Sequence, residues 1–225
     1  MTTPDFGFTH RFVAGAGSAP TLLLLHDIGG DENAILDLGR VLAPGAALLS
    51  PRGQVQEDSG PRFCRMTASG FDTEDLLRRT GELVDFVELA SNGYSFDPQQ
   101  VIVVGYAHGA TIAASMLLLR PDGLRAGVLF HPAVPFEPEA PPFLTQTSVF
   151  IAASRYSQFA PPAQSQQLVA IFEAAGADVT LHWYTDDPPS MQAEIQPARA
   201  WLRHKGHIHH TEHEGPSPLR DRYTS

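Results

Sequence analysis

Short runs of consecutive apolar residues alternate along the chain with segments whose apolar residues recur at helical spacing. A run that is apolar at every position is typical of a strand covered on both faces, whereas apolar residues three and four apart predict an amphipathic helix. The pattern predicts strands at 21–27, 46–53, 100–106, 125–134, 147–154 and 178–185, and helices at 31–42, 73–90, 108–119, 163–175 and 190–203. Thr73 is the expected N-cap of the helix over 73–90.

This alternation of strands and helices predicts an α/β fold with a mostly parallel central sheet and helices on both faces. The chain of 225 residues fits one domain of ordinary size, which we place at residues 1–203. The composition changes after that point, and we interpret 204–225 as a polar, His-rich tail outside the core.

Composition narrows the classes of function. The formal net charge of −10 offers no electrostatic basis for binding nucleic acid or an anionic membrane. Cys64 is the single cysteine, which excludes an internal disulfide and a cysteine-based metal cluster. No signal peptide is visible, and the apolar runs are far shorter than the roughly 20 residues that span a bilayer. We therefore expect a cytoplasmic protein without a cofactor.

The stretch VIVVGYAHGATIAASMLLL, residues 101–119, has the form of a strand, a tight turn and a helix. The turn Gly105-Tyr106-Ala107-His108-Gly109 resembles the Gly-x-Ser-x-Gly elbow that carries a serine nucleophile. LLLLHDIGGDENAILDLGRVLAPGAALLSPRG and PRFCRMTASGFDTEDLLRRTGEL are similar to other segments of the phospholipase/carboxylesterase branch of α/β-hydrolases. The resemblance covers about residues 8–203. It implies an α/β-hydrolase fold without a large lid domain.

The relatives in that branch are esterases that act on short acyl esters, and their chemistry needs a Ser, a His and an Asp. The resemblance places Ala107 at the nucleophile position, Ser157 at the acid position and Pro188 at the base position. A methyl group cannot attack, a hydroxyl carries no negative charge, and proline has no proton to exchange. Loss of a whole triad costs about 10⁶ in kcat in one studied serine hydrolase. We therefore expect no intact catalytic residue at these positions.

The loop that would help to bind the oxyanion is also altered. The resemblance aligns this loop and the elbow with His26, Asp27, Ile28, Gly29 and Gly30, and with Gly105, Tyr106, His108 and Gly109. It gives His26 a mainly structural role. Asp27 stands where relatives have glycine, and its carboxylate would oppose negative charge that develops nearby. The sequence leaves open whether Asp27 blocks the pocket or provides it with a polar contact.

Two residues outside the triad positions are candidate catalytic groups. His108, beside the elbow, is a candidate base or ligand-binding residue, although a surface polar residue is the more ordinary interpretation. Cys64 with His108 would be a legitimate nucleophile and base, although a lone cysteine is more often a small core residue. Phe63, Cys64 and Phe159 are candidate pocket-lining residues.

The remaining histidines have plainer interpretations. His131 and His182 lie in strand-like runs and are expected in the core or at its edge. In the tail, His207, His209, His210 and His213 are weak candidates for binding Zn, Ni or Cu. A flexible, solvated tail is the favoured interpretation.

The sequence therefore predicts a non-catalytic, carboxylesterase-like protein that binds a small acyl or aromatic ligand or a partner, with a homodimer expected from the resemblance. One alternative is a weak carboxylic-ester hydrolase with relocated groups, using His108 with Cys64 or a nearby serine. Another is a metal-handling protein that uses its tail.

Overall fold

The structure, a computed structural model, describes residues 4–16, 19–68, 70–157, 159–184 and 191–208. Within these residues the strands are β1 (His10–Val13), β2 (Thr21–Leu25), β3 (Ala47–Pro51), β4 (Val55–Glu57), β5 (Gly60–Arg62), β6 (Met66–Thr67), β7 (Gly70–Phe71), β8 (Val101–Tyr106), β9 (Ala126–Phe130), β10 (Ser148–Ser154) and β11 (Asp178–Tyr184). The helices are α1 (Leu36–Leu42), α2 (Thr73–Tyr94), α3 (His108–Leu119), α4 (Pro162–Ala174) and α5 (Met191–His204), with a short 3₁₀ turn at Pro98–Gln100.

The central sheet has the strand order β1-β3-β2-β8-β9-β10-β11. Among the described residues, β1 is the only strand of this sheet that runs antiparallel, to β3, and the other pairings are parallel. Two small antiparallel hairpins, β4–β5 and β6–β7, lie outside it. Parallel strands end at one edge of the sheet, so the loops that follow β2, β8 and β9 meet there. The mostly parallel α/β architecture predicted from the sequence is confirmed.

The four consecutive leucines of β2 show why a buried strand carries an unbroken run of apolar residues. Leu23 and Leu25 pack in the core on one face of the sheet, with α2, α3 and α4. Leu22 and Leu24 pack in the core on the opposite face, with α1 and α5. All four side chains are fully buried. Because successive side chains of a strand point to opposite faces, a strand covered on both sides needs an apolar residue at each position.

Several predicted boundaries are wrong in detail. The first helix begins at Leu36 rather than at 31, because Asp31 instead starts a turn in which its carboxylate accepts a hydrogen bond from the Asn33 backbone at 2.8 Å. The N-cap of α2 is Asp72, which accepts from the Asp75 backbone at 3.1 Å, and not Thr73. β9 ends at Phe130 rather than at 134, since the next residue has a positive φ.

The packed part of the chain extends past the predicted boundary at residue 203. α5 continues to His204, and Ile208 is buried against the α1–α5 face of the sheet. The Ser148 hydroxyl and Nε2 of His207 form a hydrogen bond of 2.7 Å. Residues 204–208 therefore belong to the domain, because an apolar side chain and a buried hydroxyl both hold them there. The rest of the predicted tail lies outside the described residues. In the described part of the chain, no helix is long and apolar enough to cross a membrane.

Candidate functional site

The turn between β8 and α3 keeps the backbone of a nucleophile elbow. Ala107 has φ 46° and ψ −109°, a conformation that residues with a side chain rarely adopt. Its backbone nitrogen donates to the carbonyl of Phe130 at 2.8 Å, and its carbonyl accepts from the backbone of Thr111 at 3.1 Å. Such a conformation costs on the order of 1–3 kcal/mol and persists only where the surroundings enforce it. The elbow geometry has therefore been retained, with a methyl group at its apex.

The two elbow glycines explain how the turn fits against the sheet. A Cβ atom on Gly105 would lie 2.4 Å from the carbonyl oxygen of Gly109. A Cβ atom on Gly109 would lie 2.0 Å from the carbonyl oxygen of Leu25 at the end of β2. Neither position therefore has room for any side chain. The predicted tight turn is present, and its glycines are required by close backbone approach.

The other two positions of the family triad differ in what the structure shows. Ser157 follows β10, as expected for the acid position, but its hydroxyl oxygen accepts a hydrogen bond from the Ala160 backbone at 3.0 Å. This contact stabilises the turn before α4 and supplies no negative charge. Pro188 lies outside the described residues. A methyl group and a hydroxyl thus stand at two of the three positions that the resemblance assigns to the triad.

Asp27 places its carboxylate between two backbone N–H groups of the site. Its Oδ1 atom accepts from the nitrogen of Ile28 at 2.8 Å and from the nitrogen of His108 at 3.1 Å. The residue after the nucleophile and the loop after an early strand are the two sources of oxyanion-hole donors in α/β-hydrolases. Donors of that kind lie 2.7–3.1 Å from the oxygen they stabilise. The Asp27 carboxylate therefore accepts from N–H groups at the two places where α/β-hydrolases carry such donors.

His26 fixes the loop that carries Asp27. Its ring is fully buried, and it joins two backbone groups: Nδ1 bonds the carbonyl of Asp27 at 2.7 Å, and Nε2 accepts from the nitrogen of Gly53 at 3.0 Å. Burial lowers the pKa of His26. The ring also lies 4.6 Å from the ring of Phe63, measured between centroids. The expected structural role of His26 agrees with these contacts.

His108 is not the surface residue that the ordinary interpretation expected. It is fully buried beneath the rings of Phe63 and Phe71, and its Nε2 accepts from the backbone nitrogen of Phe63 at 3.2 Å. Nδ1 has no hydrogen-bond partner among the described residues. Burial, with a smaller contribution from Arg62, lowers the pKa of His108 to about 4. The imidazole is therefore neutral at physiological pH and closed off from a substrate.

Cys64 is equally unsuited to nucleophilic chemistry. Its thiol is fully buried in the core formed with α2 and α3. Burial raises its pKa to about 12, so the thiolate that would attack is scarce near neutral pH. Because both side chains are fully buried, the structure lends no support to the Cys64–His108 pair, which stays a prediction. Phe63 is also buried, whereas Phe159 is 45% exposed, and their role in lining a ligand pocket stays a prediction.

Comparisons with known proteins identify the family. The model of the dienelactone hydrolase family matches residues 11–194. The chain belongs to the dienelactone hydrolase family. A Bacillus subtilis (strain 168) protein named as a hydrolase, MhqD, is 39% identical over 183 residues, which is 81% of this chain and 92% of that protein.

Two solved structures are similar to this dienelactone hydrolase family member over most of their length. The Bacillus cereus carboxylesterase has a TM-score of 0.84 and 38% identity, over 88% of this chain and 94% of that one. The Agrobacterium tumefaciens protein Atu2452, of unknown function, has a TM-score of 0.79 and 36% identity, over 88% and 96%. The expected α/β-hydrolase fold is confirmed, and the protein has carboxylesterases among its structural neighbours.

A buried polar cluster beside the elbow was missed by the sequence analysis. Nε2 of His131, the residue after β9, lies 2.5 Å from Oε1 of Glu194 in α5. The Glu194 side chain is only 3% exposed, and its backbone carbonyl accepts from the hydroxyl of Tyr184 at 2.9 Å. Burial, followed by the charge and hydrogen bond of Glu194, raises the pKa of Tyr106 to about 12. In this member of the dienelactone hydrolase family, the cluster ties α5 to β8, β9 and β11.

The structure describes His207 and not the other three predicted metal ligands. His209, His210 and His213 lie outside the described residues. Nε2 of His207 is already bonded to Ser148, and burial lowers its pKa. Within the described ranges, no group of three or more His, Cys, Asp or Glu side chains is arranged to hold a metal ion.

Proposed function

We propose that this member of the dienelactone hydrolase family does not hydrolyse esters through a Ser-His-Asp triad. The observation that carries the proposal is the methyl group of Ala107 at the apex of a fully formed, strained elbow. Ser157 adds to it, because its hydroxyl is committed to a backbone turn. The Pro188 position, taken from the resemblance to the phospholipase/carboxylesterase branch, completes the loss of all three groups.

The elbow site instead binds a small acyl or aromatic ligand, or a partner, without turning it over. The support is that the fold still builds the elbow and its loop, with His26 and Phe63 packed tightly behind them. A cytoplasmic location, expected from the composition, and a homodimer, expected from the resemblance, are also part of the proposal. The runner-up functions have less support, because Cys64 and His108 are buried and His207 already has a partner.

The decisive experiment is hydrolysis of p-nitrophenyl acetate by highly purified protein, with the Bacillus cereus carboxylesterase as the positive control. We expect the wild type and Ala107→Ser to show no turnover above buffer. The fourfold variant Ala107→Ser, Asp27→Gly, Ser157→Asp, Pro188→His should gain activity, because it restores nucleophile, oxyanion site, acid and base together.

The result that overturns the proposal is turnover by the wild type that co-purifies with the protein and saturates with substrate. Saturable turnover by Ala107→Ser alone would also contradict it, since a serine at position 107 needs a base within reach. Binding is measured separately, by saturation-transfer NMR with phenyl acetate. Transfer without product formation supports a ligand site, and absence of transfer counts against it.

A further inference from the structure

The Asp27 carboxylate is held by backbone donors and not by a cation. Its side chain makes hydrogen bonds only to the nitrogens of Ile28 and His108 among the described residues, and no Lys or Arg pairs with it there. A carboxylate that is half-buried without a cation must recover its lost hydration from other donors. Two converging N–H groups, one of them at the first residue of α3, provide that compensation.

The two donors come from different parts of the chain, so the cradle does not depend on Asp27 for its shape. The nitrogen of His108 is positioned by the elbow, which the glycines at 105 and 109 fix against β2. The loop of Ile28 is positioned by His26, through its bond to Gly53, and by Gly29, whose nitrogen donates to the carbonyl of Pro61 at 2.9 Å. We therefore expect both N–H groups to stay in place, without an acceptor, when the carboxylate is removed.

We propose that Asp27 determines the specificity of this site by acting as its internal anion. While the Asp27 side chain is in place, the site rejects carboxylate ligands and cannot polarise an ester carbonyl. Without it, the cradle of Ile28 and His108 accepts a carboxylate from solution. This inference rests on the proposed function, which it deepens by stating which chemical class the site refuses and which residue causes the refusal.

The test measures acetate binding to the wild type, Asp27→Gly and Asp27→Asn by ¹H–¹⁵N NMR. Acetate is small enough to reproduce the side chain that has been removed. We expect acetate to shift the amide signals of Ile28 and His108 saturably in Asp27→Gly, with a dissociation constant at least tenfold lower than in the wild type. Asp27→Asn should lie between the two, because its amide oxygen still accepts but carries no charge. If Asp27→Gly does not fold, the comparison of Asp27→Asn with the wild type provides the test.

The matched control is Asp37→Ala, which removes one carboxylate from a position where the side chain is 89% exposed. It should bind acetate no better than the wild type, and a titration with chloride at equal ionic strength should leave the two amides unchanged. Equal acetate affinity in the wild type, both Asp27 variants and the control would overturn the proposal. So would a saturable acetate response of the Ile28 and His108 amides in the wild type with a dissociation constant within tenfold of that in Asp27→Gly.

The outcome separates this inference from the proposed function. If the wild type hydrolyses esters but acetate enters only the Asp27 variants, the proposed function fails and the role of Asp27 stands. If the wild type is inactive and the Asp27 substitutions leave acetate affinity unchanged, Asp27 is a structural cap for α3. In that case this inference fails and the proposed function stands.

Discussion

The Oδ1 atom of Asp27 lies 3.1 Å from the backbone nitrogen of His108, although 81 residues separate the two in the sequence. The contact joins the loop after β2 to the start of α3. It also supplies what α3 otherwise lacks, since its N-cap residue, Ala107, makes no capping hydrogen bond through its side chain. One carboxylate therefore both caps a helix and joins the loop after β2 to the elbow.

Asp27→Ala should lower the free energy of unfolding by about 1–2 kcal/mol, because it removes an acceptor from two N–H groups at a helix start. Asp27→Asn should cost less, since it keeps an acceptor oxygen. Urea denaturation measures both. Asp37→Ala, at an exposed position, should stay within about 0.5 kcal/mol of the wild type. A loss as large in Asp37→Ala would mean that net charge, and not the contact with His108, is responsible.

Ala107→Gly should be neutral or stabilising, by up to about 1 kcal/mol, although the same change is ordinarily destabilising. The backbone at φ 46° and ψ −109° is strained for alanine and open to glycine, while the glycine variant loses more entropy on folding. Thermal or urea unfolding measures the difference.

The control for that prediction is Ala113→Gly, a buried alanine within α3. It should lose roughly 1 kcal/mol or more from helix propensity, with a further loss from packing. If Ala107→Gly is destabilised as much as Ala113→Gly, the elbow of the folded protein is not strained at Ala107.

The sequence predicts the sheet and the elbow because both depend on local patterns. Consecutive apolar residues in β2 and β8 predict buried strands, and Gly105 and Gly109 predict a turn too tight for side chains. The burial of His108 could not be predicted in the same way. It depends on Phe63 and Phe71, which reach the ring from a segment well before it in the chain.

The polar contacts of the site were missed for the same physical reason. Asp27 meets His108, and His131 meets Glu194 across 63 residues, through side chains with no periodic signal. His131 lies at the edge of the core, as its strand-like run predicts. The sequence does not predict the buried carboxyl group of Glu194 opposite it, because an isolated glutamate in an amphipathic helix is ordinarily solvated.

Breaking the His131–Glu194 pair should be costly. Glu194→Ala should lower the free energy of unfolding by about 3 kcal/mol or more, since it leaves buried polar partners unsatisfied. Glu194→Gln should cost less, because it keeps a hydrogen-bonding group of the same shape. A double-mutant cycle with His131→Ala, followed by urea denaturation, should give a coupling energy of about 1–3 kcal/mol.

The control pair for that cycle is Arg40 and Asp37, which form an exposed ion pair at 2.6 Å on α1. Exposed pairs couple by about 0–1 kcal/mol, so the buried pair should exceed it clearly. Equal coupling in the two cycles would show that His131 and Glu194 do not depend on one another in solution.

The buried His108 should make the protein less stable in mild acid. Its pKa is about 4 in the folded state and 6.5 in the ordinary exposed state, so between these values the unfolded chain binds a proton that the folded chain does not. The contribution of His108 to the free energy of unfolding is therefore fully present above pH 6.5 and falls by roughly 3 kcal/mol as the pH is lowered towards 4. His26, whose pKa is also lowered by burial, contributes in the same direction.

Urea denaturation at pH 7.5 and pH 4.5 should show a smaller drop in the free energy of unfolding for His108→Gln than for the wild type, since glutamine can still accept from the Phe63 nitrogen without titrating. His204→Gln, an exposed histidine at the end of α5, is the control and should keep the full drop. An identical drop in His108→Gln and the wild type would mean that His108 is protonated as readily in the folded protein as in the unfolded chain.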